Sequence, residues 1–535
     1  MMKYFLLILF LTFAGTTIYS QKNKPIDELL TTYEKANQFS GSVLVAEKGK
    51  IIFEKSYGYR NAPKEEKNTN SSLYRIYSTT KIFTAAVILK LEEQSKLSTD
   101  DKISKYFPGY PKGDSISIKN LLSHTSGIPE AEEISSEADL LKHLAKKPLD
   151  FSPNKGWNYS NSNYYLLGYI IQKVTGKEYD KAIEDFILKP LQMTNTGFHF
   201  NEFKNENKAL GYEFISGENS NEALRFKTDH PFAAGAMYST VEDLYKFSEA
   251  LYKGKILDQK IVENMYKPYL NDHYGFAQEI YKIQNSNKTL VGHSGGGPGY
   301  RCRFVRDVKD DIAIIVLVNS EMIPVDKIAE DITDIVYDIP YKKTSIGKVN
   351  NEDLQKIEGI YSSSEATYYV NSMDNMVVFN GDILPRIPLN PVSKTFYTLE
   401  ENFTFKFDED KNGKVNSITV TNLRGTKKAQ KISDTFPWAI IGSATASGWD
   451  GKDILLETKK GKPNYYFLKK YTLKAGELKF RLNNDWNNSL GLNNDDQNLC
   501  YDGYDIKIEN DGVYDIVLDM SIKSKPKYSI KLSDE

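Results

Sequence analysis

Apolar runs broken by turn residues predict where the first strands of this chain lie. Hydrophobic residues over 41–57 flank the turn Lys48-Gly49-Lys50, a pattern that predicts a β-hairpin. Much later, the continuous apolar run over 312–318 predicts a buried strand, and a strand-like run over 300–305 precedes it. The predicted strands therefore gather at the two ends of one region.

Between these strands, apolar residues recur at helical spacing. This spacing predicts helices that follow Ser78, cover 118–124, 163–174 and 241–252, and carry the apolar residues of 328–336. Strands at both ends with helices between them favour an α+β fold, in which helices flank an antiparallel β-sheet.

The pattern changes after residue 340, where the chain becomes rich in predicted strands. A polar stretch over 341–353 is typical of a linker, and short alternating strands with turn signals follow over 354–432. A second break at 434–437 precedes another strand-rich stretch. We therefore predict a first domain over 21–340 and two small all-β domains over 354–432 and 436–535.

Residues 1–20 have the pattern of an export signal. Lys3 precedes an apolar run over 4–14, and small and polar residues follow. This run is short for a stable membrane anchor, although a retained single span is the alternative. We therefore expect cleavage near Ser20, a mature protein in the periplasm or outside the cell, and no stable membrane insertion.

Composition and charge narrow the classes of function. A formal net charge of -2 with 26% charged residues, and no long basic tract, argues against a nucleic-acid-binding protein. Aromatic residues make up 12% of the chain, which suits β-rich modules and sugar-contacting surfaces. Cys302 and Cys500 are expected to be free and buried. The six histidines are scattered without metal-ligand spacing, so we expect no metal ion and no cofactor.

Three short motifs carry the candidate chemistry. In Ser78-Thr79-Thr80-Lys81 an apolar helical run follows the serine, so the lysine lies one helical turn from it. The same spacing occurs at 152–155, 345–348 and 524–527, but prolines interrupt two of these and the third lies in the predicted linker. Ser78 is therefore the candidate nucleophile, with Lys81 as a neighbouring base. The other two motifs are Tyr159-Ser160-Asn161 and His293-Ser294-Gly295.

Together these motifs resemble those of the serine β-lactamase and penicillin-binding protein superfamily. The similarity is greatest to the branch of class C β-lactamases and DD-peptidase-like serine hydrolases, and it covers about Asp27 to Ile339. Supporting stretches lie at 121–127, 234–240 and 292–300. The resemblance implies a β-lactamase/transpeptidase-like fold and an acyl-enzyme mechanism.

The resemblance and the side-chain chemistry assign roles to the motif residues. Ser78 attacks an acyl carbonyl, and either Lys81 or Tyr159 takes its proton, since burial can lower the pKa of an amine and nearby cations can ease ionisation of a phenol. The resemblance places the backbone N–H groups of Ser78 and Gly296 in the oxyanion hole. Asn161 is expected to hydrogen-bond Lys81 and the substrate amide. The remaining substrate-binding candidates are His293, Ser294, Gly295, Gly296 and Tyr238, of which Tyr238 either lines the cleft or packs.

His293 departs from the pattern of the penicillin-recognising members. They usually carry Lys-Thr-Gly at this motif, and that lysine helps to bind a substrate carboxylate. A mostly neutral histidine weakens this interaction at pH 7, which favours peptidase or esterase activity over efficient β-lactamase activity. Activity on carboxylate substrates is then expected to rise as the imidazole protonates. His124, in contrast, is expected to order a loop.

The two later domains also resemble known modules. Residues 354–432 resemble the lipocalin-like domain often fused behind such hydrolases. Residues 436–535 resemble the immunoglobulin-like carbohydrate-binding modules of bacterial outer-membrane starch-binding proteins, and Trp449 and Trp486 would then stack on sugar rings. The alternative is that both tryptophans are core residues of a β-sandwich.

The sequence therefore predicts an exported, metal-independent serine hydrolase that acts on a small peptide, amide or ester through a Ser78 acyl-enzyme. DD-peptidase or D-amino-acid peptidase activity is the leading prediction. A secreted esterase or a weak β-lactamase is the alternative within the same chemistry. The alternative from another class is a catalytically silent protein that binds cell wall or another polysaccharide, which the three intact motifs argue against.

Overall fold

The residues that the structure describes fold into three sheet-based units, which we call the N-terminal domain, the barrel and the sandwich. The predicted signal segment over 1–20 and most of the predicted linker over 341–353 lie outside the described residues. A computed structural model describes residues 22–131, 136–225, 231–283, 286–340, 350–373, 376–381, 384–400, 403–422, 425–493 and 498–534.

The N-terminal domain is organised by a six-stranded antiparallel sheet. The strands of the whole domain, in this sheet and outside it, are β1 (Gly41–Glu47), β2 (Lys50–Tyr57), β3 (Tyr59–Asn61), β4 (Glu66–Lys67), β5 (Tyr74–Arg75), β6 (Tyr212–Phe214), β7 (Asn221–Glu222), β8 (Tyr238–Ser239), β9 (Glu279–Lys282), β10 (Thr289–Gly297), β11 (Tyr300–Asp307) and β12 (Ile312–Val318). The central sheet has the order β2-β1-β12-β11-β10-β9, and the pairs β3-β4, β5-β8 and β6-β7 lie apart from it. The predicted hairpin and the predicted buried strand are confirmed.

Strand β12 is apolar along its whole length because helices cover both faces of the sheet. Ile314 and Val316 face one apolar cluster, and Ile315 and Leu317 face another. The helices are α1 (22–35), α2 (Thr80–Glu93), α3 (Ile118–Leu122), α4 (Glu137–Leu144), α5 (Asn161–Thr175), α6 (Tyr179–Ile183), α7 (Val241–Tyr252), α8 (Gln259–Met265), α9 (Val325–Val336) and α10 (Asn351–Ile357). Helices α1 and α9 pack on the first face, whereas α2, α5 and α7 pack on the second. The predicted α+β layering is confirmed, and no helix among these residues is long and apolar enough to cross a membrane.

The barrel is a closed ring of eight antiparallel strands. Its strands are β13 (Gly359–Ser362), β14 (Thr367–Met373), β15 (Met376–Gly381), β16 (Leu384–Ser393), β17 (Phe396–Glu400), β18 (Phe403–Glu409), β19 (Val415–Asn422) and β20 (Gly425–Ser433). Tyr361, Tyr397 and Phe405 are among the side chains that fill its core. The prediction of strands from residue 354 is wrong at its start, because α10 occupies this stretch. Leu354 and Ile357 share one face of α10 and are buried in the same core.

The sandwich consists of two antiparallel sheets that share one core. The strands are β21 (Trp438–Ile441), β22 (Ile454–Leu455), β23 (Glu457–Lys459), β24 (Lys462–Leu473), β25 (Gly476–Leu482), β26 (Asp485–Leu492), β27 (Leu499–Tyr501), β28 (Ile506–Ile508), β29 (Gly512–Asp519) and β30 (Lys527–Leu532). One sheet has the order β22-β21-β25-β26-β27, with β28 paired to β25, and the other has the order β23-β24-β29-β30. Phe480 from the first sheet and Ile516 from the second belong to the same buried cluster.

The three units meet at a buried cluster of charged groups. Glu213 on β6 accepts a hydrogen bond of 2.6 Å from the backbone N–H of Tyr501 in the sandwich. Arg386 of the barrel donates to Asp502 of the sandwich at 3.1 Å, and its guanidinium lies 4.3 Å from the Tyr501 ring centre. Burial, followed by the nearby Glu321 carboxyl, raises the pKa of Glu213. The Arg386 guanidinium opposes this effect and so supplies the positive charge that faces the buried Glu213 carboxyl group.

We expect Arg386→Ala to lower the free energy of unfolding by about 3 kcal/mol, because it removes the positive charge that faces the buried Glu213 carboxyl group. Urea denaturation at pH 7 measures this loss. Lys406→Ala is the matched control, since it removes an exposed cation from the same barrel. Equal stabilities for the two variants would contradict the role of Arg386.

Candidate active site

Ser78 lies in a strained turn just before the first turn of α2. The short helical turn Tyr77–Thr79 leads into this helix, and Tyr77 has a φ of 41°, which non-glycine residues rarely adopt. The Tyr77 ring is buried, and its hydroxyl donates to the carbonyl oxygen of Pro298 at 2.8 Å. Ser78 is half-buried, while Tyr77 and Thr79 on either side are buried. The turn thus presents the Ser78 hydroxyl at the surface of a rigid element.

Lys81 is the buried base candidate of the site. Its Nζ lies 3.0 Å from Ser78 Oγ, 2.7 Å from Asn161 Oδ1 and 2.9 Å from the carbonyl oxygen of Ala234. The side chain is fully buried, and this burial lowers the pKa of the amine from 10.5 to about 7 against the opposing effect of nearby carboxylates. A large fraction of Lys81 is therefore neutral at pH 7 and able to accept a proton.

Tyr159 contacts the other side of the Ser78 hydroxyl. Its phenol donates to Ser78 Oγ at 3.0 Å, and its ring centre lies 4.9 Å from Lys81 Nζ. Burial raises the pKa of Tyr159, and this effect outweighs the hydrogen bond to Ser78, which lowers it. The expectation that nearby cations ease ionisation of this phenol is wrong, because the cost of burying a phenolate is larger. At neutral pH Tyr159 is therefore a proton donor.

Asn161 links Lys81 to a carboxylate that the sequence did not single out. Asn161 is the first residue of α5. Its backbone N–H donates to Glu130 Oε2 at 2.6 Å, and its Nδ2 donates to Glu130 Oε1 at 2.8 Å. Its Oδ1 faces Lys81. The amide group that was expected to bind substrate is thus already engaged on both sides.

The glycines of β10 let this strand pass directly beside the nucleophile turn. A Cβ atom on Gly295 would lie 2.0 Å from the carbonyl oxygen of Ile76, and one on Gly297 would lie 2.5 Å from the Tyr77 ring. Gly296, between them, is paired with Arg301 across β10 and β11. Only glycine fits at positions 295 and 297, which explains the glycine run after His293.

His293 is buried behind the strand and holds no charge at neutral pH. Its side chain is 1% exposed, its Nε2 accepts from the Tyr274 hydroxyl at 3.0 Å, and its Nδ1 donates to the Ser294 carbonyl oxygen at 2.6 Å. Burial lowers the pKa of His293 despite the nearby Glu279 carboxylate. The imidazole therefore orders β10, and its titration gives no basis for the expected gain of activity on carboxylate substrates.

Glu279 engages Ser294, the middle residue of the third motif. The backbone N–H and the hydroxyl of Ser294 donate to this carboxylate at 3.0 and 2.8 Å, and Arg303 lies 3.2 Å from it. Glu279 and Glu130 both favour the charged form of Lys81. Neither carboxylate belongs to a recognisable motif, so sequence patterns alone could not identify them.

His124 packs beneath Tyr159. The two ring centres lie 4.4 Å apart, and Nδ1 of His124 accepts from the backbone N–H of Ser160 at 3.2 Å. Its burial, with Lys81 nearby, lowers the pKa of His124 well below the usual value. This neutral ring therefore supports the loop that carries the second motif.

Three candidate residues lie away from this cluster. Tyr238 is 6% exposed and stacks on Phe203 with a ring-centre distance of 5.1 Å, and none of its described contacts involves Ser78. Trp449 and Trp486 lie in the sandwich. In the part of the chain that the structure describes, no group of three or more His, Cys, Asp or Glu side chains is placed to hold a metal ion.

We expect kcat/KM for a neutral ester such as p-nitrophenyl acetate to rise with pH and to level off above about pH 7. The reason is that only the neutral amine of Lys81 accepts the Ser78 proton, and its pKa is lowered to about 7. A profile of kcat/KM against pH measures this rise, and Lys81→Arg should abolish the rise. A midpoint near 10 in the wild type would contradict the assignment.

Comparisons with known proteins agree with this site. Residues 26–334, more than half of the chain, match the sequence model of the Beta-lactamase family. A penicillin-binding protein of Bacillus subtilis (strain 168) is 31% identical over 330 residues, which cover 56% of this chain and 72% of the relative.

Solved structures extend the likeness to the fold. A D-amino acid amidase from Ochrobactrum anthropi SV3, complexed with L-phenylalanine amide, aligns with a TM-score of 0.53 and 25% identity, covering 59% of this chain and 99% of that chain. A penicillin-binding protein homologue from Pyrococcus abyssi, described as octameric, shares the fold with a TM-score of 0.53 and 24% identity, covering 76% of this chain and 99% of that chain. Since the family match spans the residues that build both the central sheet and the Ser78 cluster, this chain belongs to the β-lactamase family and is a serine hydrolase related to penicillin-binding proteins.

Proposed function

We propose that this enzyme cleaves amide or peptide bonds through a covalent acyl-enzyme on Ser78. One observation carries the proposal: Ser78 Oγ lies 3.0 Å from both Lys81 Nζ and the Tyr159 hydroxyl. The nucleophile thus has a partly neutral amine on one side and a protonated phenol on the other. These are the two groups needed to remove its proton and to protonate a leaving group.

The first half-reaction follows from this arrangement. Lys81 takes the Ser78 proton as the oxygen attacks the carbonyl carbon, and the resulting oxyanion is held by the backbone N–H groups of Ser78 and Gly296. When the tetrahedral intermediate collapses, the C–N bond breaks and Tyr159 donates its proton to the departing nitrogen. The ammonium of Lys81 then restores the proton of Tyr159. In the second half-reaction, water attacks the acyl-enzyme by the same proton path and releases Ser78.

D-Amino-acid amides and peptides are the proposed substrates. The solved D-amino acid amidase and the related penicillin-binding protein support this class. The buried, neutral His293 also supports it, because it offers no charge for the carboxylate of a penicillin-like substrate. A secreted esterase or a weak β-lactamase is the alternative within the same mechanism. We further propose export, which the apolar pattern of residues 1–20 supports.

We expect a fluorophosphonate probe to label Ser78 and Ser78→Ala to abolish both labelling and amide hydrolysis, because no other group replaces the nucleophile. Mass spectrometry of the labelled peptide identifies the modified residue. Ser152→Ala is the matched control, since Ser152 and Lys155 repeat the motif spacing at an exposed position. Labelling that survives Ser78→Ala, or disappears in Ser152→Ala, would overturn the proposal.

A second proposed function is the binding of a polysaccharide by the sandwich. The ring centres of Trp449 and Trp486 lie 6.1 Å apart, and Trp486 is 46% exposed, so the alternative that it is a core residue is wrong. Arg481 stacks over the Trp486 ring at 4.2 Å, and Asp453 holds its Nε at 2.9 Å. A large aromatic surface that is fixed in place and exposed is suited to stacking on a sugar ring.

We expect Trp486→Ala to weaken binding to insoluble starch or peptidoglycan by about tenfold, the effect of losing one stacked aromatic contact. Pull-down with each polysaccharide measures the loss, and hydrolysis of a small amide should stay unchanged. Leu532→Ala removes another exposed apolar side chain of the sandwich and is the control. Equal binding by wild type and Trp486→Ala would exclude a sugar platform at this residue.

A further inference from the structure

We infer that Glu130 selects substrates with a positively charged amino group beside the scissile carbonyl. The inference rests on the proposed function, because it concerns the substrate of the Ser78 site. It names the terminal D-amino acid, with a free ammonium group, as the acyl part of the substrate. The corresponding activity is that of a D-amino-acid amidase or aminopeptidase, rather than a carboxypeptidase.

A chain of three hydrogen bonds joins Glu130 to the nucleophile. Its carboxylate accepts both N–H groups of Asn161, at 2.6 Å from the backbone and 2.8 Å from the side chain. Asn161 in turn contacts Lys81 at 2.7 Å, and Lys81 contacts Ser78 at 3.0 Å. A substrate whose carbonyl reaches Ser78 therefore passes close to this carboxylate.

The backbone on both sides of Glu130 is fixed to α5. The hydroxyl of Ser162 donates to the Pro129 carbonyl oxygen at 2.9 Å and accepts from the Ala131 N–H at 2.8 Å. Ile128 and Ala131 are buried, whereas the Glu130 side chain is exposed. The carboxylate is thus held in position before substrate arrives, which reduces the entropic cost of using it for recognition.

The carboxylate keeps acceptor capacity and charge for a ligand. A carboxylate offers about four acceptor positions, and Asn161 occupies two of them. Both donors are neutral amide groups, and within the described ranges no Lys, Arg or His side chain forms a salt bridge with Glu130. The Lys147 ammonium donates to the Glu130 backbone carbonyl oxygen at 3.3 Å and forms no salt bridge with the carboxylate. A carboxylate with free acceptor positions and no salt-bridge partner among the described residues is best complemented by a cationic donor, such as an ammonium group.

The opposite side of the site does not reverse this preference. Glu279 lies beside Ser294, but its carboxylate is paired with Arg303 at 3.2 Å. Arg301 is the nearest basic side chain to Gly296, but its guanidinium donates to the carbonyl oxygens of Gly297 at 2.7 Å and Tyr300 at 3.0 Å. A substrate carboxylate placed near Asn161 would therefore meet like charge, whereas an ammonium group would be attracted.

Three p-nitroanilides of D-alanine test the inference, because they share one leaving group and differ in the charge of the acyl part. The free amine is cationic, the N-acetyl derivative is neutral and the N-succinyl derivative is anionic. We expect wild-type kcat/KM to fall in that order at pH 7. Because Glu130 also holds Asn161 and acts on Lys81, Glu130→Gln changes kcat/KM for all three substrates, and the ratio of kcat/KM between the free amine and the N-acetyl substrate is the readout. This ratio should fall by about tenfold, the effect of losing one charge-assisted hydrogen bond.

Glu263→Gln is the matched control, since it neutralises an exposed carboxylate on α8. A wild type that prefers the succinyl substrate and loses this preference in Arg301→Gln would overturn the inference. So would a Glu130→Gln enzyme that labels with fluorophosphonate at the wild-type rate and keeps the wild-type ranking. If Glu130→Gln does not label, the wild-type enzyme provides the test. Its preference for the free amine over the other two substrates should shrink at high salt, which screens the charge of Glu130, and a preference that salt leaves unchanged would overturn the inference. A wild type that neither labels nor hydrolyses any of the three substrates would refute the proposed function itself, and the inference with it.

Discussion

The burial of Lys81 is the constraint on which the rest of the site depends. An amine without solvent loses much of its preference for the charged form, so its pKa falls from 10.5 to about 7. The unfolded chain binds this proton more tightly, and stability attributable to Lys81 therefore falls as pH decreases from 10.5 towards 7. Burial of Lys81 therefore destabilises the fold at neutral pH, but it provides an amine that can act as a base there. Two carboxylates, Glu130 and Glu279, keep the shift from going further.

The architecture explains how such a lysine can be buried beside a solvent-facing serine. Helix α2 is covered on all sides, so Lys81 in its first turn is buried. Ser78 lies before this helix, in the strained turn at Tyr77, and its hydroxyl therefore reaches the solvent-facing side of the site. Strand β10 closes the site from the sheet side, which its glycines make sterically feasible. The charged junction at Glu213 and Arg386 joins the barrel and the sandwich to the same domain.

Short sequence patterns predict those parts of the fold and the site that depend on residues close together in the chain. The hairpin, the buried strand β12 and the spacing of Ser78 to Lys81 follow from periodicity, and the structure confirms them. Glu130 was missed because its role comes from a loop held against another helix, a contact that no short pattern encodes. The phenol of Tyr159 was misjudged because burial, which dominates its pKa, depends on tertiary packing. The exposure of Trp486 likewise depends on which strand face the sandwich leaves uncovered.

The central claim is that a large fraction of Lys81 is neutral at pH 7, where the enzyme works. A direct test is an NMR titration of selectively labelled lysine side chains, with the Lys81 signal assigned by its absence in Lys81→Arg. Our account predicts that the Lys81 resonance titrates with a midpoint near 7, far from the midpoints of exposed lysines near 10.4. A Lys81 resonance that titrates together with the exposed lysines would contradict the account, because the amine would then be protonated whenever Ser78 must lose its proton.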